Sequence, residues 1–235
     1  MASSVSSAEV AHFNALAAGW WDPGGPMRPL HRMNPARIGW IAERIARRFP
    51  DPDGVRVLDI GCGAGLAAEA LARRGYDVLG LDAAGETIAA AEAHAAGQGL
   101  RLAYRVGAPE MLAAEGSRFP VVTALEVIEH VADPAAFVRT LAALVQPGGL
   151  AFLSTLNRTA RSFLSAKVGA EYLLRWLPVG THDWRKFRSP EELGALLRQA
   201  GLRVTDVTGL APDPLRGGWR CTRDTGVNYM LAAEA

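Results

Sequence analysis

A short glycine-rich segment is the first part of the sequence whose residue types could bind a ligand. Asp59 is followed by Gly61, Gly63 and Gly65 at alternate positions, between an apolar run and a helical pattern. In such a strand-to-helix turn the backbone can approach a ligand closely, and its N–H groups favour a carboxylate or phosphate. Asp82 ends the next apolar run, where its carboxylate can accept hydrogen bonds from both hydroxyls of a ribose. These spacings predict a site for a nucleoside-bearing cofactor.

Two carboxylates and an imidazole follow a later apolar run. If this stretch is helical, Glu126, Glu129 and His130 share one face, since they are spaced i, i+3 and i+4. Oxygen-rich ligation suits Mg²⁺, so the cluster predicts a divalent metal site. In the alternative interpretation the glutamates cap the backbone and His130 lines a substrate pocket without a metal.

Apolar runs alternate with helical patterns from residue 55 onward. Strands are predicted at 55–60, 77–81, 102–106, 119–125, 150–155, 203–208 and 227–232, and helices at 66–74, 86–96, 134–145 and 189–200. This alternation is typical of a parallel sheet wound by right-handed crossovers. Ligands bind at the carboxyl ends of such strands, where Asp82 and Glu126 are expected. Residues 212–226 are predicted to be an irregular loop.

The chain is predicted to be one domain, 1–235, with two additions to the core. The first is an N-terminal helical cap at 1–50. Within it, Asn34 and Pro35 read as the N-cap and first position of a helix. That helix would present three isoleucines on one face: Ile38, Ile41 and Ile45. The second addition is a helical insertion at 157–188.

Composition limits the class of protein. The 235 residues include 25 basic and 24 acidic side chains, a formal net charge of +1. This balance argues against a dedicated nucleic-acid-binding protein, which would carry a basic excess. Two cysteines, Cys62 and Cys221, favour a reduced intracellular setting over a disulfide framework. The sequence shows no secretory signal and no apolar stretch that could span a membrane, so we expect a cytoplasmic protein.

The spacing of the glycines resembles the first motif of class I methyltransferases. It reads G-x-G-x-G after an acidic residue, whereas the dinucleotide fingerprint reads G-x-G-x-x-G. Residues 125–131 and 145–149 resemble later motifs of the same superfamily. The resemblance implies S-adenosylmethionine as cofactor, with the glycines facing its methionine moiety. It also implies a Rossmann-like α/β fold, with a mostly parallel seven-stranded sheet, an antiparallel last strand and helices on both faces.

Longer strings narrow the resemblance to the ubiquinone biosynthesis O-methyltransferase family. They occur at 20–23, 29–37, 154–158, 169–172, 180–187 and 227–231, so they extend over nearly the whole chain. The family methylates a polyprenylated catechol (2-polyprenyl-6-hydroxyphenol) and, later, 3-demethylubiquinol. The resemblance carries its cofactor contacts onto Arg37, Gly61, Asp82 and Leu125. The family more often has Met at position 125 and Gly at position 64, where this chain has Ala64.

Methyl transfer to a phenol oxygen requires that the phenol lose its proton, to a base or with the help of a metal. His130 is the first candidate for the base, and His182 and His31 are the alternatives. Family members described as magnesium-dependent carry the same Glu-x-x-Glu-His string, so the resemblance also implies Mg²⁺ at Glu126, Glu129 and His130.

The insertion at 157–188 is predicted to contact a membrane. It contains seven basic and two acidic residues, a net charge of +5, together with apolar bulk. This combination is typical of an interfacial helix on anionic lipids, and the alternative is a lid over the substrate. The expected location is the cytoplasm, peripheral on the inner face of the bacterial membrane. A ubiquinone-biosynthesis complex is a further expected partner.

Three other functions stay open at this point. The chain could methylate another small soluble phenol or acid, or act as a non-catalytic lipid-binding subunit. A requirement for the polyprenyl tail would distinguish the first alternative, and failure to bind cofactor would favour the second. A nicotinamide-dependent reductase is disfavoured by the glycine spacing.

Overall fold

The computed structural model describes residues 6–163, 184–215 and 217–235. Within them, eight strands form one sheet in the order β3-β2-β1-β4-β5-β8-β6-β7. The strands are β1 (Arg56–Ile60), β2 (Asp77–Asp82), β3 (Leu102–Val106), β4 (Phe119–Leu125), β5 (Val145–Leu156), β6 (Arg203–Asp213), β7 (Gly218–Thr222) and β8 (Asn228–Glu234). Strands β1 to β5 pair in parallel, whereas β8 runs antiparallel to β5 and β6. The prediction of a mostly parallel sheet with an antiparallel last strand is confirmed.

Helices cover both faces of the sheet. They are α1 (Ser7–Leu16), α2 (Arg28–Arg48), α3 (Leu66–Ala72), α4 (Gly85–Ala95), α5 (Pro109–Ala114), α6 (Pro134–Leu144), α7 (Ala160–Ser162) and α8 (Pro190–Gln199). Because side chains alternate along a strand, Val57 packs with α2 and α3 while Leu58 packs on the opposite face with α5, α6 and α8. Burial of both faces fixes the register of the strands and therefore the positions of their ends.

Strand β7 lies inside the region that we predicted to be an irregular loop. Among the described residues it pairs with β6 alone, which extends to Asp213, so this part of the chain has one strand more than the predicted seven. Edge strands tolerate Pro and Gly, since one side of the strand has no ladder to complete. Pro212 lies in β6 beyond Leu210, where the ladder with β8 ends, and Gly218 begins β7 itself, so neither residue prevents pairing.

Helix α2 begins earlier than predicted. It starts at Arg28, with Pro29 in its first turn, and Pro35 lies inside it. The first turn accepts proline because its N–H groups have no partner within the helix. The prediction that Asn34 is an N-cap is therefore wrong. The isoleucine face is confirmed, since Ile38, Ile41 and Ile45 are fully buried.

The N-terminal segment packs against the core beside the glycine-rich turn. The Thr87 hydroxyl of α4 donates to the Phe13 carbonyl of α1 at 3.2 Å, and the Trp21 indole N–H donates to the Ala64 carbonyl at 2.9 Å. Most of the predicted insertion at 157–188 lies outside the described residues. Among those that are described, no helix is both long and apolar enough to cross a membrane.

Candidate functional site

A cavity of about 700 Å³ lies at the carboxyl edge of the sheet, under α1 and the start of α2. It spans the point where the strand order reverses between β1 and β4, the usual ligand position in open α/β sheets. Its volume is in the range of pockets that enclose a small organic ligand. Nine of the predicted site residues line it: Arg37, Asp59, Gly61, Gly63, Asp82, Leu125, Glu126, Glu129 and His130.

The glycine-rich turn is tied to the end of β2. The Gly61 N–H donates to the Leu81 carbonyl at 2.7 Å, and the Gly63 N–H donates to Asp82 Oδ2 at 2.9 Å. Gly63 has φ +55°, and a Cβ added there would lie 2.3 Å from the Trp20 ring. Glycine is therefore required both by the backbone conformation and by the aromatic ring that packs over the turn.

Gly65 has a different position from the other two glycines. It is not among the residues that line the cavity, and it precedes α3 in the left-handed conformation, with φ +90°. A Cβ added there would lie 2.0 Å from the Tyr104 hydroxyl. In this structure Gly65 shapes the turn and makes room for Tyr104.

A buried carboxylate on β1, Asp59, and a half-buried one on β2, Asp82, face the cavity. Asp59 Oδ1 accepts a 2.6 Å hydrogen bond from the Thr123 hydroxyl, whereas Oδ2 has no partner among the described residues. Burial raises the pKa of Asp59 to about 6. Burial also raises the pKa of Asp82, although backbone N–H donors, including those of Ala84 and Gly63, oppose the shift. The Oδ2 atom of Asp59 is therefore an unused acceptor inside the cavity.

Arg37 brings a buried guanidinium to the same end of the cavity. Asn34 fixes it by accepting a hydrogen bond from Arg37 Nη2 at 3.3 Å while donating to the Leu66 carbonyl at 2.8 Å. Burial lowers the pKa of Arg37, and the charges of Glu126 and Asp59 oppose that shift. Its Nε has no hydrogen-bond partner within the described part of the chain. A buried donor of this kind indicates an anionic ligand group.

These groups fit the cofactor that the sequence predicts. An amino-acid moiety needs a donor for its carboxylate and an acceptor for its ammonium, which Arg37 Nε and Asp59 Oδ2 offer. A ribose needs a carboxylate for its hydroxyls, which Asp82 offers at the end of β2. Leu125 ends β4 as an apolar wall, 8% exposed. The donor set therefore matches a nucleoside joined to an amino acid.

Glu126 begins the other half of the cavity and has an unusual backbone. It is the only non-glycine residue with positive φ (+58°) in the described ranges, a conformation that costs of the order of 1–3 kcal/mol. Its carboxylate accepts hydrogen bonds from the Ser154 hydroxyl at 2.6 Å and from Asn228 Nδ2 at 3.3 and 3.4 Å. Side chains from β5 and β8 therefore hold the strained residue in place.

His130 contacts an acidic residue from the first helix. Its Nδ1 lies 3.0 Å from Glu9 Oε2, and its ring packs edge-on against Phe13 at 5.2 Å. Burial lowers the pKa of His130, but the hydrogen bond to Glu9 and the charges of Glu129 and Glu9 outweigh it, so the pKa is raised overall. The hydrogen bond from His130 lowers the pKa of Glu9 to about 2. The pair is therefore arranged as an imidazole with an orienting carboxylate.

The three predicted metal ligands line one cavity but have separate partners. Glu129 is 4% exposed and accepts a 2.8 Å hydrogen bond from the Thr155 hydroxyl, while His130 pairs with Glu9. Burial, and then the charge of Glu126, raise the pKa of Glu129. The residues that the structure describes contain no group of three His, Cys, Asp or Glu side chains arranged to hold a metal. A metal site would need these side chains to exchange partners.

Two functional candidates were missed from the sequence, and one predicted candidate, His31, lies away from the cavity. Glu9 and His12 both line the cavity, and His12 Nε2 is buried with no partner in the described ranges. The available signal was an acidic residue and a histidine within a predicted helix. His31 instead accepts or donates a hydrogen bond at the Trp20 carbonyl, 2.8 Å away, and does not line the cavity. His182 lies outside the described residues.

Comparisons with known proteins identify the family of the chain. Residues 33–207 match a family model described as a methyltransferase domain. The ubiquinone biosynthesis O-methyltransferase of Methylobacterium nodulans is 53% identical over 238 residues, which cover 98% of this chain and 96% of that protein. The protein of the same name from Azorhizobium caulinodans is 49% identical, covering 98% and 94%.

A solved structure supports the fold independently of the sequence. The magnesium protoporphyrin IX methyltransferase of Synechocystis PCC 6803, crystallised with bound SAM, superimposes with a TM-score of 0.66. The match covers 97% of this chain and 95% of that one at 17% identity, so it concerns the fold alone. With the family model and the two relatives that match almost from end to end, the conclusion is that this chain belongs to the ubiquinone biosynthesis O-methyltransferase family.

Proposed function

We propose that this methyltransferase binds S-adenosylmethionine in the half of the cavity formed by β1 and β2, and methylates a phenol oxygen of a polyprenylated catechol in the other half. The two substrates named by the resemblance are 2-polyprenyl-6-hydroxyphenol and 3-demethylubiquinol. The observation that carries the proposal is a single cavity with unpaired amino-acid-binding groups at one end and the Glu9–His130 pair at the other.

The cofactor supplies an electrophilic methyl group on a sulfonium. Arg37 would bind its carboxylate, Asp59 its ammonium and Asp82 its ribose, and Leu125 would provide an apolar wall for its adenine. Gly61 and Gly63 would let the backbone of the turn approach the cofactor closely. Fixing both reactants in one orientation supplies much of the acceleration of a displacement reaction.

We infer that His130 removes the phenol proton. A neutral imidazole that donates from Nδ1 to the Glu9 carboxylate carries its lone pair on Nε2, where it can accept a proton. Glu9 then stabilises the imidazolium that forms. The alternatives predicted from the sequence are His182, which lies outside the described residues, and His31, which does not line the cavity. The mechanism takes no step through a metal.

The apolar tail of the acceptor favours a cavity with apolar walls. Val10, Phe13 and Leu16 of α1 and Leu30 and Met33 of α2 provide such walls. We also propose that the chain works as one domain, peripherally at the cytoplasmic face of a membrane with anionic lipids, beside other enzymes of ubiquinone biosynthesis. The support is the net charge of +5 in segment 157–188 and the insolubility of a polyprenyl tail.

Complementation tests the proposed function in cells. The chain is expressed in a bacterium whose own ubiquinone biosynthesis O-methyltransferase gene is deleted, and quinones are extracted and identified by mass spectrometry. We expect ubiquinone to be restored, and to be absent with Asp82→Ala. Accumulation of a catechol or of demethylubiquinone would identify the methylation step that this chain does not catalyse. Expressed protein that restores neither step would contradict the proposal.

A further inference from the structure

Asn228 occupies a position at which its amide orientation is fixed. It is the first residue of β8 and pairs with Leu156 of β5 and Leu210 of β6, so it lies at the edge of the sheet where the cavity opens. Its Nδ2 contacts both oxygens of the Glu126 carboxylate, at 3.3 and 3.4 Å. Rotating the amide would place Oδ1 against that carboxylate, and two acceptors repel each other. Nδ2 therefore faces Glu126.

The other end of the amide has no partner. Asn228 is 3% exposed and lines the cavity, and its Oδ1 is buried without a hydrogen bond from any described residue. Buried polar atoms are nearly always paired, so an unpaired oxygen that can only accept indicates a ligand that donates. Asp59 and Asp82, the acidic residues assigned to the cofactor, make no hydrogen bond with Asn228 among the described residues.

We propose that Asn228 Oδ1 accepts a hydrogen bond from the second hydroxyl of an ortho-diphenol acceptor, the hydroxyl next to the one that is methylated. The inference rests on the proposed function and deepens it, because it assigns a specificity-determining residue to the acceptor. One phenol oxygen loses its proton and attacks, while its neighbour keeps its proton and donates it to Asn228. A methylated oxygen or a quinone carbonyl has no proton to donate, so Asn228 selects the reduced, unmethylated form.

Asn157 provides a matched control. It too is a buried asparagine, 7% exposed, whose Nδ2 donates to the Thr225 carbonyl at 2.9 Å and whose Oδ1 has no partner among described residues. Unlike Asn228, it is not among the residues that line the cavity. Replacing either asparagine by alanine removes the same atoms from a buried site. Only the change at Asn228 is expected to affect recognition of the phenol substrate.

The experiment compares two acceptors in three proteins. Steady-state kcat/KM is measured for a short-chain prenyl catechol and for the analogue that lacks the second hydroxyl, with wild type, Asn228→Ala and Asn157→Ala. The ratio of the two values is internal to each protein, so partial unfolding cancels. We expect Asn228→Ala to reduce the wild-type ratio at least about tenfold, and Asn157→Ala to preserve it. An unchanged ratio in Asn228→Ala would overturn the proposal, as would an equal change in both variants.

Binding measurements keep the inference testable if a variant fails to fold. Calorimetry on wild type with S-adenosylhomocysteine should show the catechol binding at least about tenfold more tightly than the analogue, and equal affinities would overturn the proposal. If Asn228→Ala weakened cofactor binding and left the acceptor ratio unchanged, Asn228 would belong to the cofactor half. A wild type that methylates neither compound would contradict the proposed function, whereas the binding comparison would still decide the role of Asn228.

Discussion

Glu9 Oε2 lies 3.0 Å from His130 Nδ1, although the two residues are 121 positions apart in the chain. The contact joins the first helix to the segment after β4, at the end of the cavity where the acceptor is proposed to bind. The pH dependence of turnover can therefore test whether the Glu9 carboxylate sets the pKa of His130, the proposed base.

The Glu9→Gln variant should shift the acidic limb of kcat/KM to lower pH. Burial lowers the pKa of His130, and Glu9 contributes to the opposing effects that raise it overall. A base works unprotonated, so activity rises as pH passes through the pKa of His130, and removing the Glu9 charge lowers that midpoint. Initial rates at subsaturating acceptor between pH 5 and 9 measure it.

Lys186 offers a control of opposite sign. Its ammonium lies 3.4 Å from Glu9 Oε1, and its charge lowers the pKa of His130. The Lys186→Met variant should therefore shift the acidic limb to higher pH. Limbs that stay at the wild-type position in both variants would show that His130 is not the base.

The Gly63→Ala variant should weaken cofactor binding. Its Cβ would lie 2.3 Å from the Trp20 ring, so the ring must move, at a cost of about 1–3 kcal/mol. The Gly97→Ala variant is the control, because Gly97 also has positive φ (+74°) but has open space around the added Cβ. Calorimetric titration with S-adenosylmethionine should show a higher Kd only for Gly63→Ala. Equal effects would mean that backbone strain, and not Trp20, matters.

The Asp82→Asn variant should lose cofactor affinity. A hydrogen bond to a charged group contributes about 1.5–3 kcal/mol, which corresponds to a roughly 10- to 150-fold rise in Kd. The Asp77→Asn variant is the control, since Asp77 is exposed at the other end of the same strand. Wild-type affinity in Asp82→Asn would place the ribose elsewhere.

Metal removal tests the sequence-based Mg²⁺ prediction for Glu126, Glu129 and His130. If the prediction holds, EDTA should abolish turnover and Mg²⁺ should restore it. The affinity for S-adenosylmethionine should not change, because the proposed cofactor contacts use none of the three side chains. Turnover that survives EDTA would reject the metal and leave the Glu9–His130 pair to act alone.

Local pattern was enough to bring together the residues of the proposed cofactor half. Asp59, Gly61 and Gly63 occupy a strand-to-helix turn, and Asp82 ends the next strand, so the order of elements along the chain brings them together. The same reasoning placed Gly65 with them, because it could not distinguish a glycine beside a ligand from one that makes room for Tyr104.

The acceptor half depends on long-range contacts that no local pattern encodes. Glu9 and His12 reach the cavity because α1 packs against α4, and Asn228 reaches Glu126 because β8 inserts between β5 and β6. The edge strand β7 was missed for a related reason: its five residues pair on one side only. A helix start was misplaced because Pro29 and Pro35 are both compatible with one helix.

The most direct test of the account is methyl transfer by the purified protein from methyl-labelled S-adenosylmethionine to a short-chain 2-polyprenyl-6-hydroxyphenol. The account predicts a labelled methyl ether on a ring oxygen, and a rate roughly 10²- to 10⁴-fold lower for His130→Ala with unchanged cofactor affinity. Protein that binds the cofactor but transfers no label to the catechol would contradict it.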